Sequence, residues 1–193
     1  RAGFRCSVSF ASRTAAGGIS GGVAILWRPD IYVSEHIVGL PGRVLCVPMF
    51  VPHIGQLNVC SVYGITGQQL DENLPVLAAI RDIRLQLAGC FIAGGDFNLP
   101  PATVESELRF DMPQWHVANA GRRTCRTADN VESELDFYLV CPTIGTLART
   151  VEVQDTCRCR PHWGVRMVLR LQRNTEHLVF EQPPRRCADK YQG

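Results

Sequence analysis

Short alternating or unbroken apolar runs dominate the first third of the chain. Phe4–Phe10, Gly22–Arg28, Ile31–Val38, Val44–Val51 and Gln56–Tyr63 each read as a strand. They are bounded by breakers such as Gly17-Gly18, Pro29-Asp30, Pro41-Gly42 and His53–Gly55, a spacing that predicts an antiparallel meander. The period then changes. Leu70, Leu74, Leu77, Ile80, Ile83 and Leu87 recur at intervals of three and four, predicting a helix with Pro75 near its first turn and Gly89 at its stop. Cys90–Ala93 is a short apolar run ending in two glycines, the pattern of a buried strand. Thr103–Leu108 reads as a short helix, and Trp115–Ala118, Leu135–Cys141, Val151–Gln154 and Val165–Leu171 as further strands. This order defines an α/β chain with mixed sheets.

Composition narrows the class. With 193 residues, 46% of them hydrophobic and 20% charged, the chain has the makings of one globular domain with its own core. Its longest apolar run, Val44–Val51, contains Pro48 and falls far short of the roughly 20 residues of a membrane-spanning helix, so no membrane partner is expected. The chain opens at Arg1 with neither an initiator Met nor a signal-peptide pattern, and is expected to be a processed product or a fragment. Among 20 basic residues only Lys190 is a lysine. Arginine suits bidentate phosphate contacts, although a GC-rich coding sequence produces the same skew. The net charge of +2 does not by itself imply nucleic acid. The nine cysteines are too sparse for a disulfide scaffold, and Cys46, Cys60, Cys90 and Cys141 lie in apolar stretches. They suggest a reducing, intracellular setting. Beyond Arg173 the chain is polar and Arg-rich, so residues 172–193 are expected to form a flexible tail.

The sharpest chemical signal is Phe91-Ile92-Ala93-Gly94-Gly95-Asp96-Phe97-Asn98. A strand delivers two glycines, which permit a sharp turn, and then an acid and an amide two positions apart. Such an Asp can orient or deprotonate a water, and such an Asn can donate to a phosphoryl oxygen. The same residues also suit a plain turn.

The surrounding segments resemble the endonuclease/exonuclease/phosphatase superfamily of metal-dependent phosphodiesterases. Gly21-Gly22-Val23-Ala24-Ile25-Leu26 looks like that family's early core strand, and Asn58–Tyr63 like the strand ending in its site tyrosine. Gly94-Gly95-Asp96-Phe97-Asn98 resembles its GDFN signature, and Glu134–Val140 its IDYILV-like strand. Pro161-His162-Trp163-Gly164-Val165 is similar to its terminal S-D-H-x-P-V motif. Thr124 matches a Thr often seen ahead of the IDY-like strand. The match runs from about Gly21 to Leu171, in the family's order.

The resemblance implies a four-layer αββα sandwich of DNase I type, incomplete at the N-terminus, occupying residues 1–171. It implies a catalytic set in which Asp96 activates water, Asn98 holds the scissile phosphate and Tyr63 donates a further hydrogen bond. His162 would stabilise the transition state or donate a proton, and Asp136 would fix its tautomer. Mg²⁺ or Mn²⁺ is the implied cofactor and DNA the implied partner; no protein partner is inferable. Two departures concern the metal. Arg1–Ser20 contain no Glu, Asp or Asn, so the family's metal-binding Glu would lie upstream of Arg1, and the Asp expected before the histidine is Pro161. The metal ligands are therefore unassigned. The Pro-His pairing, the Arg-rich composition and the Met-less start look similar to endonuclease domains carried by retroelements, which would place the protein in the nucleus. The alternatives are an inactive remnant with the fold only, and a superfamily phosphatase acting on a small phosphorylated substrate.

Other patterns carry less. Gly18-Ile19-Ser20-Gly21-Gly22 fits a hydrolase elbow, which needs a strand before it and a helix after; here a strand is expected to follow. Cys157, Cys159 and His162 make a single cluster, short of the four ligands of a structural zinc site. Arg122, Arg123 and Arg126 fall between site motifs and are the candidate substrate-binding arginines, with solvated loop charge as the plainer reading. The pairs Arg158/Arg160 and Arg185/Arg186 are weaker candidates. His36, His53, His116 and His177 read as surface or rim residues.

Overall fold

The computed structural model describes residues 3–13, 17–67, 69–109, 112–126, 129–156 and 161–171. The tail 172–193, Cys157–Arg160 and their candidate roles lie outside these. The described elements are β1 (Arg5–Ser9), β2 (Ser12–Arg13), β3 (Ile19–Ser20), β4 (Val23–Trp27), β5 (Tyr32–Val33), β6 (Ile37–Leu40), β7 (Val44–Val51) and β8 (Gly55–Tyr63). They continue with α1 (Leu70–Gln86), β9 (Cys90–Asp96), α2 (Pro101–Leu108), β10 (His116–Ala118), β11 (Cys125–Arg126), β12 (Glu132–Ser133), β13 (Asp136–Val140), α3 (Pro142–Leu147), β14 (Ala148–Gln154) and β15 (Gly164–Leu169).

A seven-stranded mixed sheet is the centre of the molecule, in the order β10-β13-β9-β8-β7-β5, with β6 also on β7. Among the described residues its one parallel pair is β8 with β9. A parallel pair needs a crossover, and α1 supplies it. The helix buries Asn73, Val76, Leu77, Ala79, Ile80 and Ile83, so its inward stripe is rotated from the leucine pattern and Leu74 is exposed. Pro75 stands inside the helix rather than in its first turn. Asn73, fully buried, accepts the Ile65 N–H at 2.7 Å and donates to the Ile65 and Gln69 carbonyls. It thereby holds the loop that follows Tyr63.

The meander expectation is corrected. β1 and β4 pair with each other in a separate hairpin, in register from Arg5↔Trp27 to Ser9↔Val23. The run Ile31–Val38 breaks into β5 and β6, both of which pair with β7. The β1–β4 hairpin packs on β7 and β8, while the β14–β15 hairpin approaches β13. On β4, Val23, Ile25 and Trp27 are buried while Leu26 faces out. Between Ala24 and Ile25 on one side and Gly164 and Val165 on the other runs a groove of about 350 Å³ floored by Val59, Ile92 and Tyr138. Helix, main sheet and paired hairpins make three of the four expected layers among the described residues. The short α3, begun by Pro142 at its first turn, was not expected. Among the described residues no helix is long and apolar enough to cross a membrane.

The two glycines of β9 have separate reasons. A Cβ on Gly94 would lie 2.5 Å from the Tyr138 ring. Gly95 has φ +150°, and a Cβ there would lie 2.0 Å from the Val62 carbonyl oxygen. Gly95→Ala should therefore cost at least about 3 kcal/mol, strain and overpacking together. Gly55→Ala, at another positive φ but with nothing within 4 Å, should cost about 1 kcal/mol. Urea unfolding of both variants checks the difference.

Candidate active site

Register builds the first part of the site. Tyr63 on β8 pairs with Asp96 on β9, and Asp96 pairs with Asp136 on β13. Three strands thus deliver a phenol and two carboxylates in one row, on one face of the sheet. Behind the row, Phe97 and Phe137 stack at 4.3 Å and lie fully within the core.

The chain then leaves β9 through Asn98, a left-handed residue with φ 50°, a conformation that Asn tolerates. Its backbone N–H donates to Asp96 Oδ1 at 2.9 Å and its side-chain amide to Asp96 Oδ2 at 3.0 Å. The amide also donates to the Gly64 carbonyl at 3.1 Å. Both hydrogens of the Asn98 amide are thus engaged in holding Asp96 and the end of β8.

His162 arrives from the far end of the chain. Its segment lies against β11: Trp163 N–H donates to the Thr124 carbonyl at 2.8 Å, and Arg126 N–H to the Pro161 carbonyl at 3.0 Å. Cys125 and His162 form a bridge between them. Thr124 is fully buried, and its hydroxyl oxygen accepts the N–H groups of Leu135 and Asp136, each at 2.9 Å. The result is an imidazole between two acids. His162 Nδ1 stands 2.8 Å from Asp136 Oδ2, and Nε2 stands 3.6 Å from Asp96 Oδ2.

These neighbours set the charge states. Burial pushes the Asp96 carboxyl above the usual carboxylate range and the Asp136 charge adds to it, while the Asn98 backbone donor and His162 pull against them. The hydrogen bond to Asp136 raises the His162 imidazole, burial opposes it, and the charges of Asp136 and Asp96 reinforce the rise.

One ligand atom from each of Asp96, Asp136 and His162 lies within 4.8 Å of the others, close enough to hold one cation. The donor set fits a divalent ion through its two carboxylates, the ligands that hard cations prefer. With its Nδ1 engaged by Asp136, the imidazole is better placed as a proton donor than as a ligand.

Of the five expected catalytic residues, Asp96, Asn98, Asp136 and His162 meet in this cluster, while the Tyr63 ring packs against Arg43, whose guanidinium lies 5.0 Å from its centroid. Arg43 also donates to the Gly64 carbonyl at 3.0 Å and the Ser20 hydroxyl at 2.7 Å. Nothing in its sequence position singled it out. Ser20 is in β3 with no helix after it, so the hydrolase-elbow pattern has no structural counterpart. The three candidate arginines are exposed and already paired: Arg122 with Asp155 at 3.5 Å, Arg123 with Glu132, and Arg126 with Glu132 at 3.8 Å.

This fold is shared with solved structures that include an endonuclease/exonuclease/phosphatase family protein. No family model and no curated protein matches the sequence. Solved structures do. The chain is similar to the endonuclease domain of TRAS1, a telomere-specific non-LTR retrotransposon, with TM-score 0.66 and 16% identity over 86% of this chain and 79% of that one. It is similar to an endonuclease/exonuclease/phosphatase family protein from Leptotrichia buccalis, with TM-score 0.66 and 12% identity over 88% and 72%. It also matches the 3′ phosphatase NExo from Neisseria bound to product DNA hairpin, with TM-score 0.58 and 18% identity over 87% and 80%.

The raised His162 pKa has a definite sign in stability. The folded imidazole binds its proton more tightly than the unfolded one, whose pKa is about 6.5. The stabilisation is complete below that value and is lost as pH rises through the higher folded pKa. Asp96 has the same sign in the acid range, because its folded carboxyl also retains its proton to higher pH. In metal-free protein, stability above pH 6.5 should therefore fall more steeply for the wild type than for His162→Asn. Urea unfolding across pH measures the difference; parallel profiles would contradict it.

Proposed function

We propose that the chain is a divalent-metal-dependent phosphodiester hydrolase acting on DNA, an endonuclease domain of retroelement type spanning residues 1–171 and working in the nucleus. The observation that carries this reading is His162 held between Asp96 and Asp136 at the end of the central sheet. The names of the TRAS1 endonuclease domain and of NExo bound to a DNA hairpin support DNA as substrate.

In this mechanism Asp96 accepts a proton from the attacking water. Asn98 holds the carboxylate at both oxygens, which aims it. The His162 imidazolium, maintained by Asp136, donates from Nε2 to the charge developing on the phosphoryl oxygens or to the departing oxygen. Tyr63 and Arg43 flank the row as further donors. Asp96 and Asp136 would hold Mg²⁺ or Mn²⁺, which supplies Lewis-acid neutralisation of phosphate charge. The three candidate arginines sit in ion pairs near the surface, which are weak, so a DNA phosphate can replace their carboxylate partners.

One observation favours a second reading, a DNA-binding fold without cleavage. Where the family places an acid before the histidine, Pro161 offers only a carbonyl, and that is taken by Arg126. Nicking of supercoiled DNA with Mg²⁺ separates the two. The wild type should nick, EDTA should abolish nicking, and Asp96→Asn should lower the rate at least about 10²-fold. DNA binding without any nicking would support the second reading. Equal nicking by both proteins would contradict the role of Asp96.

A further inference from the structure

The stretch Gly18–Gly22, which makes no hydrolase elbow, has a different place in the fold. It contains the returning arm of a small hairpin, β2–β3, in which Ser12 pairs with Ser20 and Arg13 with Ile19. Cross-strand partners share a face, so Arg13 and Ile19 stand on one side of the hairpin and the two serines on the other. Arg13 is exposed, Ile19 is 77% exposed, and Phe10 at the foot of the hairpin is 82% exposed. One bare apolar side chain is unremarkable in itself; its position decides whether it means anything.

The hairpin is rooted at the catalytic row. Arg43 donates to the Ser20 hydroxyl at 2.7 Å, Gly22 N–H to the Gly42 carbonyl at 2.8 Å, and Gly42 N–H to the Ser9 hydroxyl at 2.8 Å. Arg43 in turn stands beside Tyr63, whose N–H donates to the Arg43 carbonyl at 2.9 Å and whose ring the guanidinium covers. Asp96 and Asp136 follow on the next two strands. At about 4.8 Å per strand, the Arg43 backbone is about 10 Å from that of Asp96. The hairpin therefore rises well within one duplex turn, about 34 Å, of the acid that faces the cleaved phosphate.

Its chemistry suits a polyanion. Arg1, Arg5, Arg13 and Arg28 all precede the first acidic residue of the chain, Asp30, so nothing on this arm repels phosphate. The residues that join β2 to β3, Thr14-Ala15-Ala16-Gly17-Gly18, are all small, which suits entry into a narrow groove. We infer that the β2–β3 hairpin enters the minor groove of duplex DNA and inserts Ile19 between two base pairs, while Arg13 on the same face meets the adjacent phosphate. Apolar wedges of this kind partly unstack one base step, and TA steps yield most easily, so the hairpin favours them. This rests on the DNA reading above and adds to it the element that grips the duplex and the steps it prefers.

The test is binding in EDTA, so it depends on neither metal nor cleavage. The full chain would be titrated into a duplex of alternating dT and dA in which several adenines are 2-aminopurine, a base whose fluorescence rises when it unstacks. The wild type should bind and raise the signal, and should raise it less on a dA·dT tract, whose steps are stiff. Ile19→Ala should bind within about tenfold of the wild type by anisotropy but lose the rise. Arg13→Ala should weaken binding to both duplexes alike and lower the slope of log affinity against log salt by about 1. Circular dichroism would confirm that both variants, each at an exposed position, are folded. Wild-type binding without a rise, an equal rise on the two duplexes, or an undiminished rise with Ile19→Ala would overturn the wedge while leaving the DNA reading intact. No binding to either duplex would overturn both.

Discussion

One buried hydroxyl holds the site together. Thr124 Oγ1 accepts two successive backbone N–H groups, those of Leu135 and Asp136, where the chain enters β13. The same residue donates its own N–H to the Ser133 carbonyl and accepts Trp163 N–H on its carbonyl. Two stretches, Ser133–Asp136 and Trp163, therefore meet on one fully buried residue. Asp136 belongs to the first and His162 directly precedes the second. Each such bond contributes only about 1 kcal/mol net, but a buried donor left without its acceptor costs about 1–3 kcal/mol. Loss of the hydroxyl would strand two donors at once. Placement of the imidazole is thus tied to the integrity of the core.

The chemistry follows from that constraint. The sheet register puts Asp136 beside Asp96, two like charges that would repel if nothing stood between them. His162 relieves the conflict, because its two ring nitrogens face the two acids and its positive form is favoured there. Asn98 completes the arrangement by satisfying both Asp96 oxygens from one residue, which its left-handed backbone makes geometrically possible. The site is therefore preorganised before any substrate or cation arrives, and its acid–base character is set by packing and by neighbours in contact.

How much of this was legible in the sequence depended on whether the signal was local. The helical period of Leu70–Leu87 located α1, and Gly94-Gly95 before Asp96 located a strand end with unusual backbone needs. The motif order then brought Asp96, Asn98, Asp136 and His162 into one set. Partners supplied from other strands left no such trace. The ion pairs of Arg122 with Asp155 and of Arg123 with Glu132 exist only because β12 and the end of β14 fold beside that loop. The rotation of the α1 stripe away from Leu74 reflects the buried Asn73, a polar residue that hydrophobic periodicity discounts. The meander failed because adjacent strands of similar pattern can join different sheets: β1 takes β4 as its partner, leaving β5 and β6 to β7. Thr124 was visible only as a weak motif match, although its contacts are among the most consequential in the site.

The measurement that bears most directly on this architecture is the pKa of His162, followed by NMR of the imidazole in wild type, Thr124→Ser and Thr124→Val. Serine keeps the acceptor, whereas valine keeps the shape and removes it. The wild-type and serine proteins should show a His162 pKa above the ordinary value of about 6.5, and the valine protein should return toward it as Asp136 loses its anchor. A folded valine variant with the wild-type His162 pKa would show that Asp136 and His162 are held together by something other than Thr124.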